Sequence, residues 1–109
     1  MRWLIMKNSE KIEKIQFLLD NPNIEDAYYE LLDSMGDLKR NYGDYMTTET
    51  IDCDKELERT KEANYELCTA LLTMMLREDH FANGSFRERY NNGQVDEVLN
   101  RMITCLKER

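Results

Sequence analysis

The chain has 109 residues, enough to bury one hydrophobic core and few for two. Its hydrophobic content of 41% is ordinary for a globular protein, and its charged content of 34% exceeds the usual quarter and suits exposed helix faces. A formal net charge of −7 argues against a role that works by neutralising phosphates, so direct nucleic-acid binding is not expected.

The charge is unevenly placed: residues 20–66 hold fourteen acids against five bases, whereas residues 1–19 are slightly basic and residues 67–109 are balanced. An acidic middle points to a basic partner or to simple solubility. Four Gly and one Pro leave few breakers, which favours helices with tight connections over a sheet. Cys53, Cys68 and Cys105 are odd in number and lack CxxC spacing, as expected of reduced thiols in the cytoplasm, with Cys68 and Cys105 acting as small core hydrophobes. The run Trp3-Leu4-Ile5-Met6 is too short for a secretory signal, and no apolar stretch is long enough to span a bilayer, so no membrane partner is expected.

In chain order, Asn8-Ser9 offers capping groups for a first helix, whose Ile12, Ile15, Leu18 and Leu19 share one face. Whether Trp3 and its neighbours extend that helix or fold over the core stays open. Asp20-Asn21-Pro22-Asn23 forms a boundary, with Asn21 as cap and Pro22 opening a second helix. Its apolar seam is Ile24, Tyr28, Leu31, Met35, Leu38 and Tyr42 at alternating steps of four and three, a pattern suited to antiparallel bundle packing. Gly36 within it would let a neighbouring helix approach closely. The opposite face carries Asp26, Glu30, Asp33 and Asp37, a row about 16 Å long at about 1.5 Å per residue. No Lys or Arg occurs between residues 15 and 38 to dilute it, and like charges at this spacing are mildly destabilising, which suggests a binding reason for the row.

Gly43 is expected to end that helix in a left-handed conformation, and Thr47-Thr48 to open a long third helix from about Glu49 to about Arg77. Its first half is polar nearly all round, with Leu57 as anchor, and is expected to project or lie at the edge of the bundle; Glu58, Glu62 and Glu66 form a second acidic row there, diluted by Arg59 and Lys61. Its second half contains Leu67 to Leu76, ten residues without a charge, and a helix apolar on nearly all sides must be surrounded. Asn83-Gly84 stops it, Ser85 with Glu88 forms a capping box for a short helix to about Tyr90, and Asn91-Asn92-Gly93 precedes a last helix with Val95, Val98, Leu99, Met102, Ile103 and Leu106 on one face. The prediction is an all-α single domain over residues 1–109, four or five helices around the central long one.

Chemical motifs are absent: no G-x-S-x-G, P-loop or dinucleotide fingerprint occurs, and no cofactor is expected. His80 and Glu78 are two apart and would not share a helical face, so a metal pair is not expected. The segment Leu71 to Gly84, containing Arg77-Glu78-Asp79-His80-Phe81-Ala82-Asn83-Gly84, followed by Gly93 and the Val95 to Leu106 helix, resembles the C-terminal part of a family of small bacterial and phage helical domains of unknown function. The resemblance covers about 40 residues and implies a helical fold without catalytic residues.

The leading functional expectation is a non-enzymatic binding module. It would present Asp26, Glu30, Asp33 and Asp37, helped by Glu58, Glu62 and Tyr29, to a basic protein surface, with tyrosine among carboxylates making a plausible contact face. By charge and size such a chain resembles phage-encoded inhibitors of nucleic-acid-handling enzymes, anti-CRISPR proteins among them. The alternatives are a self-associating structural or regulatory domain, a homodimer through the Ile24 to Tyr42 seam or the polar long helix, and an enzyme with a site around Glu78 and His80.

Overall fold

The structure, a computed structural model, describes residues 6–23 and 26–109. Trp3, Leu4, Ile5 and the seam residue Ile24 lie outside the described residues. Every regular element among the described residues is helical: α1 (Asn8–Asp20), α2 (Ala27–Met35), α3 (Cys53–Leu57), α4 (Tyr65–Phe81), α5 (Ser85–Asn91) and α6 (Gln94–Lys107), with 3-10 turns at Tyr42–Tyr45 and Glu58–Glu62. The all-α bundle around the apolar run is the architecture found. From Cys68 to Met75 every residue of α4 is buried, and the two hydroxyls among them bond within the helix, Thr69 Oγ1 to the Glu66 carbonyl and Thr73 Oγ1 to the Thr69 carbonyl, both at 2.8 Å. Fully burying one such Leu or Met contributes roughly 1.5–3 kcal/mol. The expected face of α6 is buried throughout, and α6 packs on both α4 and α1, while α2 lies on α1 and α5 on α4. The radius of gyration, 13.3 Å, is that of a compact chain of this length.

Two predicted helices are cut short, and the second helix also starts late: Asn21 ends α1 with its amide on the Phe17 carbonyl, Pro22 opens no helix, and α2 begins at Ala27 with Asp26 at its N-cap position. α2 ends at Met35 because Gly36 takes a left-handed φ of 74°, and the amides of Gly36 and Asp37 close the end onto the carbonyls of Asp33 (3.0 Å) and Leu32 (2.9 Å). A Cβ placed on Gly36 would meet nothing within 4 Å, so this glycine supplies backbone conformation and does not bring a helix close. Leu38 and Tyr42 reach the core from the irregular connection that follows, which is why the apolar spacing continued past the helix end. Gly43 sits within the 3-10 turn and is not left-handed.

The long third helix is broken into α3, a 3-10 turn and α4. Asp52 caps α3 by accepting from the Lys55 amide (3.2 Å), and Asn64 caps α4 by accepting from the Leu67 amide (2.8 Å). Because the chain turns between them, the polar half does not project: Leu57, Thr60 and Ala63 are buried, and the Ala63 carbonyl accepts from Arg101 Nε of α6 at 2.8 Å. Glu56, 0% exposed, is the unexpected centre of this region. Its carboxylate accepts from the amides of Thr47 (2.9 Å) and Thr48 (2.7 Å), from both threonine hydroxyls, and from Arg59 Nη1 (2.8 Å), which also donates to the Tyr45 carbonyl at 2.9 Å. Burial alone would raise the pKa of Glu56; the hydrogen bonds from Thr48, Arg59 and Thr47 outweigh it and hold the group at about 2.

Two other ends use caps the sequence did not suggest. The Lys7 amide donates to Glu10 Oε1 (3.0 Å) at the start of α1. The expected Ser85–Glu88 box does not form: α5 begins after left-handed Gly84, and Asp79 Oδ1 accepts from the amides of Gly84 (3.0 Å) and Phe86 (3.1 Å).

Two outcomes follow for stability. A folded pKa near 2 against an ordinary 4.5 means that Glu56 stabilises the fold fully above pH 4.5 and loses that contribution as pH falls toward 2, a span worth roughly 3 kcal/mol. Urea titrations should therefore find Glu56→Gln less stable by about that amount at pH 7, with the gap to wild type narrowing below pH 4.5. Gly36→Ala should cost about 1–2 kcal/mol through its left-handed backbone alone, and Gly36→Asn less; equal losses for the two would contradict the conformational reading.

Candidate functional site

The seven residues expected to bind a partner do not form one face. Asp26 precedes α2 at its N-cap position, and Glu30 and Asp33 stand exposed on α2, none of the three in an ion pair among the described residues. Asp37, expected to complete the row, is beyond the helix end and turned inward. It takes Lys11 Nζ at 2.7 Å and the hydroxyl of Tyr65, whose ring lies 5.3 Å from the same ammonium. Burial and then Asp37 push the Tyr65 hydroxyl well above the usual phenol range. Glu58 and Glu62 are exposed on the 3-10 turn and border two separate hollows, one beside Gln94 and Glu97, the other beside Arg101 and Arg109. Tyr29 faces a third hollow with His80.

A different arrangement stands nearby. α1 and α2 flank an open groove of about 630 Å³, with Glu10 and Glu13 on one wall, Glu30 on the other, and Phe17 and Leu31 along its apolar surface; Lys14 is the one base lining it. Phe17 is 66% exposed there. Of the expected residues only Glu30 belongs to this groove. The sequence did carry a signal for Phe17: it falls off the Ile12, Ile15, Leu18 and Leu19 face, so a large aromatic had to point elsewhere.

Glu78 and His80 are also separated. Glu78 makes a bidentate pair with Arg89 at 2.7 and 2.9 Å, and Arg89 adds Asp54 (2.8 Å) and Gln94 (2.9 Å), joining α3, α4, α5 and α6. Arg89 keeps the Glu78 carboxyl below its ordinary range, while burial, with Glu78 beside it, raises the Cys53 thiol to about 11. All three cysteines are free thiols. His80 lies exposed in the hollow shared with Tyr29. No group of three or more potential ligands is placed to hold a metal ion among the described residues, and no helix described is long and apolar enough to cross a membrane.

The inward and outward carboxylates should part company on substitution. Asp37→Asn, which leaves Lys11 without its anion, should lower stability by roughly 1–3 kcal/mol, and Asp33→Asn should stay within about 0.5 kcal/mol of wild type; equal urea midpoints for the two variants would show that Asp37 is not structural.

A family model described as a family of unknown function (DUF6508) matches residues 6–108, so the relationship extends well beyond the C-terminal 40 residues and takes in the first half of the chain. No curated protein matches, and no solved structure matches.

Proposed function

The chain belongs to DUF6508, a family of unknown function, and for it we propose a binding role. In this reading it is a non-enzymatic acidic module whose α1–α2 groove receives a basic amphipathic segment of a protein partner. The observation that carries it is Phe17, 66% exposed in a groove walled by Glu10, Glu13 and Glu30. An aromatic side chain left in water beside carboxylates that form no ion pair among the described residues is the composition of a contact surface, in which the ring supplies the buried anchor and the charges choose the partner and speed its approach. The finer form of the proposal is an inhibitor of the phage type, anti-CRISPR proteins included, in which Asp26, Glu30 and Asp33, with Glu58 and Glu62 on the neighbouring surface, take the place of phosphates on a bacterial nucleic-acid-handling protein. Its support is the net charge of −7 together with Asp26 at the start of α2 and Glu30 and Asp33 on it, none in an ion pair among the described residues.

Of the Ile24 to Tyr42 seam offered for self-association, Tyr28, Leu31 and Met35 are in the core. The groove, acidic on both walls, suits a basic partner better than a second copy.

The test compares proteins retained from bacterial lysate by wild type, by Phe17→Ser and by Glu13→Lys/Glu30→Lys, with circular dichroism confirming that the variants fold. A basic protein held by wild type and lost by both variants, with its nucleic-acid binding blocked in the complex, is the expected result. Identical retention by all three chains removes the groove from consideration, and a captured protein that still binds nucleic acid removes the inhibitor form.

A further inference from the structure

The third hollow is set apart from the groove by its chemistry. It lies between α2, the connection after Gly36 and the C-terminal half of α4, has a volume of about 230 Å³, and is lined by Arg40, Arg77, His80, Tyr29, Tyr42 and Thr73 among others. No Asp or Glu lines it, whereas the other three hollows described each carry two or more carboxylates. In a chain with 22 acids and 15 bases, a concave site with cations and no anion runs against composition. The arginines make the contrast sharper. Arg59, Arg89, Arg101 and Arg109 are engaged in ion pairs or hydrogen bonds; among the described residues the side chains of Arg40, Arg77 and Arg87 are not, and two of those three face this hollow.

The site is built on fixed elements. Thr73, Arg77 and His80 are spaced at four and three residues along α4 and so share one face. Arg40 and Tyr42 come from the connection, which is held at both ends: Asp37 by Lys11 and Tyr65, Thr47 and Thr48 by Glu56. The Lys39 amide donates to Thr73 Oγ1 at 3.4 Å, tying the connection to the helix beside the hollow. Two guanidinium forks and an imidazole offer the donors that a phosphate accepts, and arginine matches its geometry bidentately. Two tyrosine rings offer a surface for a flat apolar group. At about 230 Å³ the hollow is below the roughly 300–1,000 Å³ of sites for drug-sized ligands, which limits the occupant to a small molecule.

We propose that this hollow binds a small aromatic monophosphate, with the phosphate on Arg40, Arg77 and His80 and the ring against Tyr29 and Tyr42. That chemistry is shared by a free mononucleotide and by a phosphorylated aryl group, and the probes separate them. Isothermal titration of the full chain with 5′-AMP, phenyl phosphate and inorganic phosphate should show millimolar or tighter binding of at least one ringed probe and weaker binding of phosphate alone. Preference for AMP assigns the nucleotide source, and preference for phenyl phosphate the aryl source. Arg40→Gln and Arg77→Gln should each weaken the ringed probe roughly tenfold, the loss of one charged hydrogen-bond donor, and Tyr42→Leu should weaken the ringed probes while leaving inorganic phosphate unchanged. Arg87→Gln, on an exposed arginine elsewhere, should change nothing. Failure of all three probes to bind at millimolar concentration overturns the proposal, as does an Arg87→Gln loss equal to that of Arg40→Gln. Inorganic phosphate binding as tightly as the ringed probes overturns the role of the rings.

Discussion

Three carboxylates turned inward hold this bundle in its shape: Asp37, Glu56 and Glu78, each matched to a base, Lys11, Arg59 and Arg89. Moving a carboxylate out of water is costly unless its lone pairs are filled. Two of these are filled by more than their cation, Asp37 by the Tyr65 hydroxyl and Glu56 by two threonine amides and hydroxyls, while Glu78 takes two nitrogens of the Arg89 guanidinium itself. The need is local. Between the end of α2 and the start of α4 the chain has only the five-residue α3 and two 3-10 turns, so backbone groups there lack the regular partners a long helix would provide. Glu56 supplies acceptors to the amides at Thr47 and Thr48, and Asp37 pins the other end of the same connection. The part of the chain richest in negative charge thus uses some of that charge as internal scaffolding.

The same fact explains what could be read from the residues and what could not. The apolar run of α4, the periodic face of α6 and the stops at Gly84 and Gly93 depend on neighbours within a few positions, and these were legible; the boundary at Pro22 was legible only as the end of α1, since α2 starts at Ala27. Gly36 was misplaced because Leu38 and Tyr42 prolong the seam spacing by reaching the core from a non-helical backbone; the glycine itself was the signal for a helix end. The break before α4 was hidden for the opposite reason, since Ala63-Asn64 contains no strong breaker and Asn64 acts only through its side-chain cap. Charge count was visible, and charge direction was not. Asp37 finds Lys11 and Tyr65, and Arg89 finds Asp54 and Glu78, across separations that no local spacing encodes. The expected row of four carboxylates is accordingly three outside and one inside, and the groove that holds Glu30 was found through Phe17 and the facing helix.

The resemblance motif has a structural explanation. Arg77 to Gly84 forms the corner between α4 and α5, where Glu78 grips Arg89 and Asp79 caps the incoming helix. Its acidic residues therefore work on the protein itself, while Arg77 and His80 between and beside them stay directed to the surface of the hollow above α2. One short segment thus divides its side chains between holding the bundle and facing outward.

The packing of α1 on α6 carries a consequence for how the molecule comes to be. During synthesis α1 emerges first, and the helix whose face it covers emerges after every other element described. Joining them closes a loop through nearly the whole described chain, an entropic cost that grows slowly with length. Until α6 arrives, the face that α1 lays on it lacks that cover, and a nascent chain paused before Gln94 would present it to chaperones or to other chains.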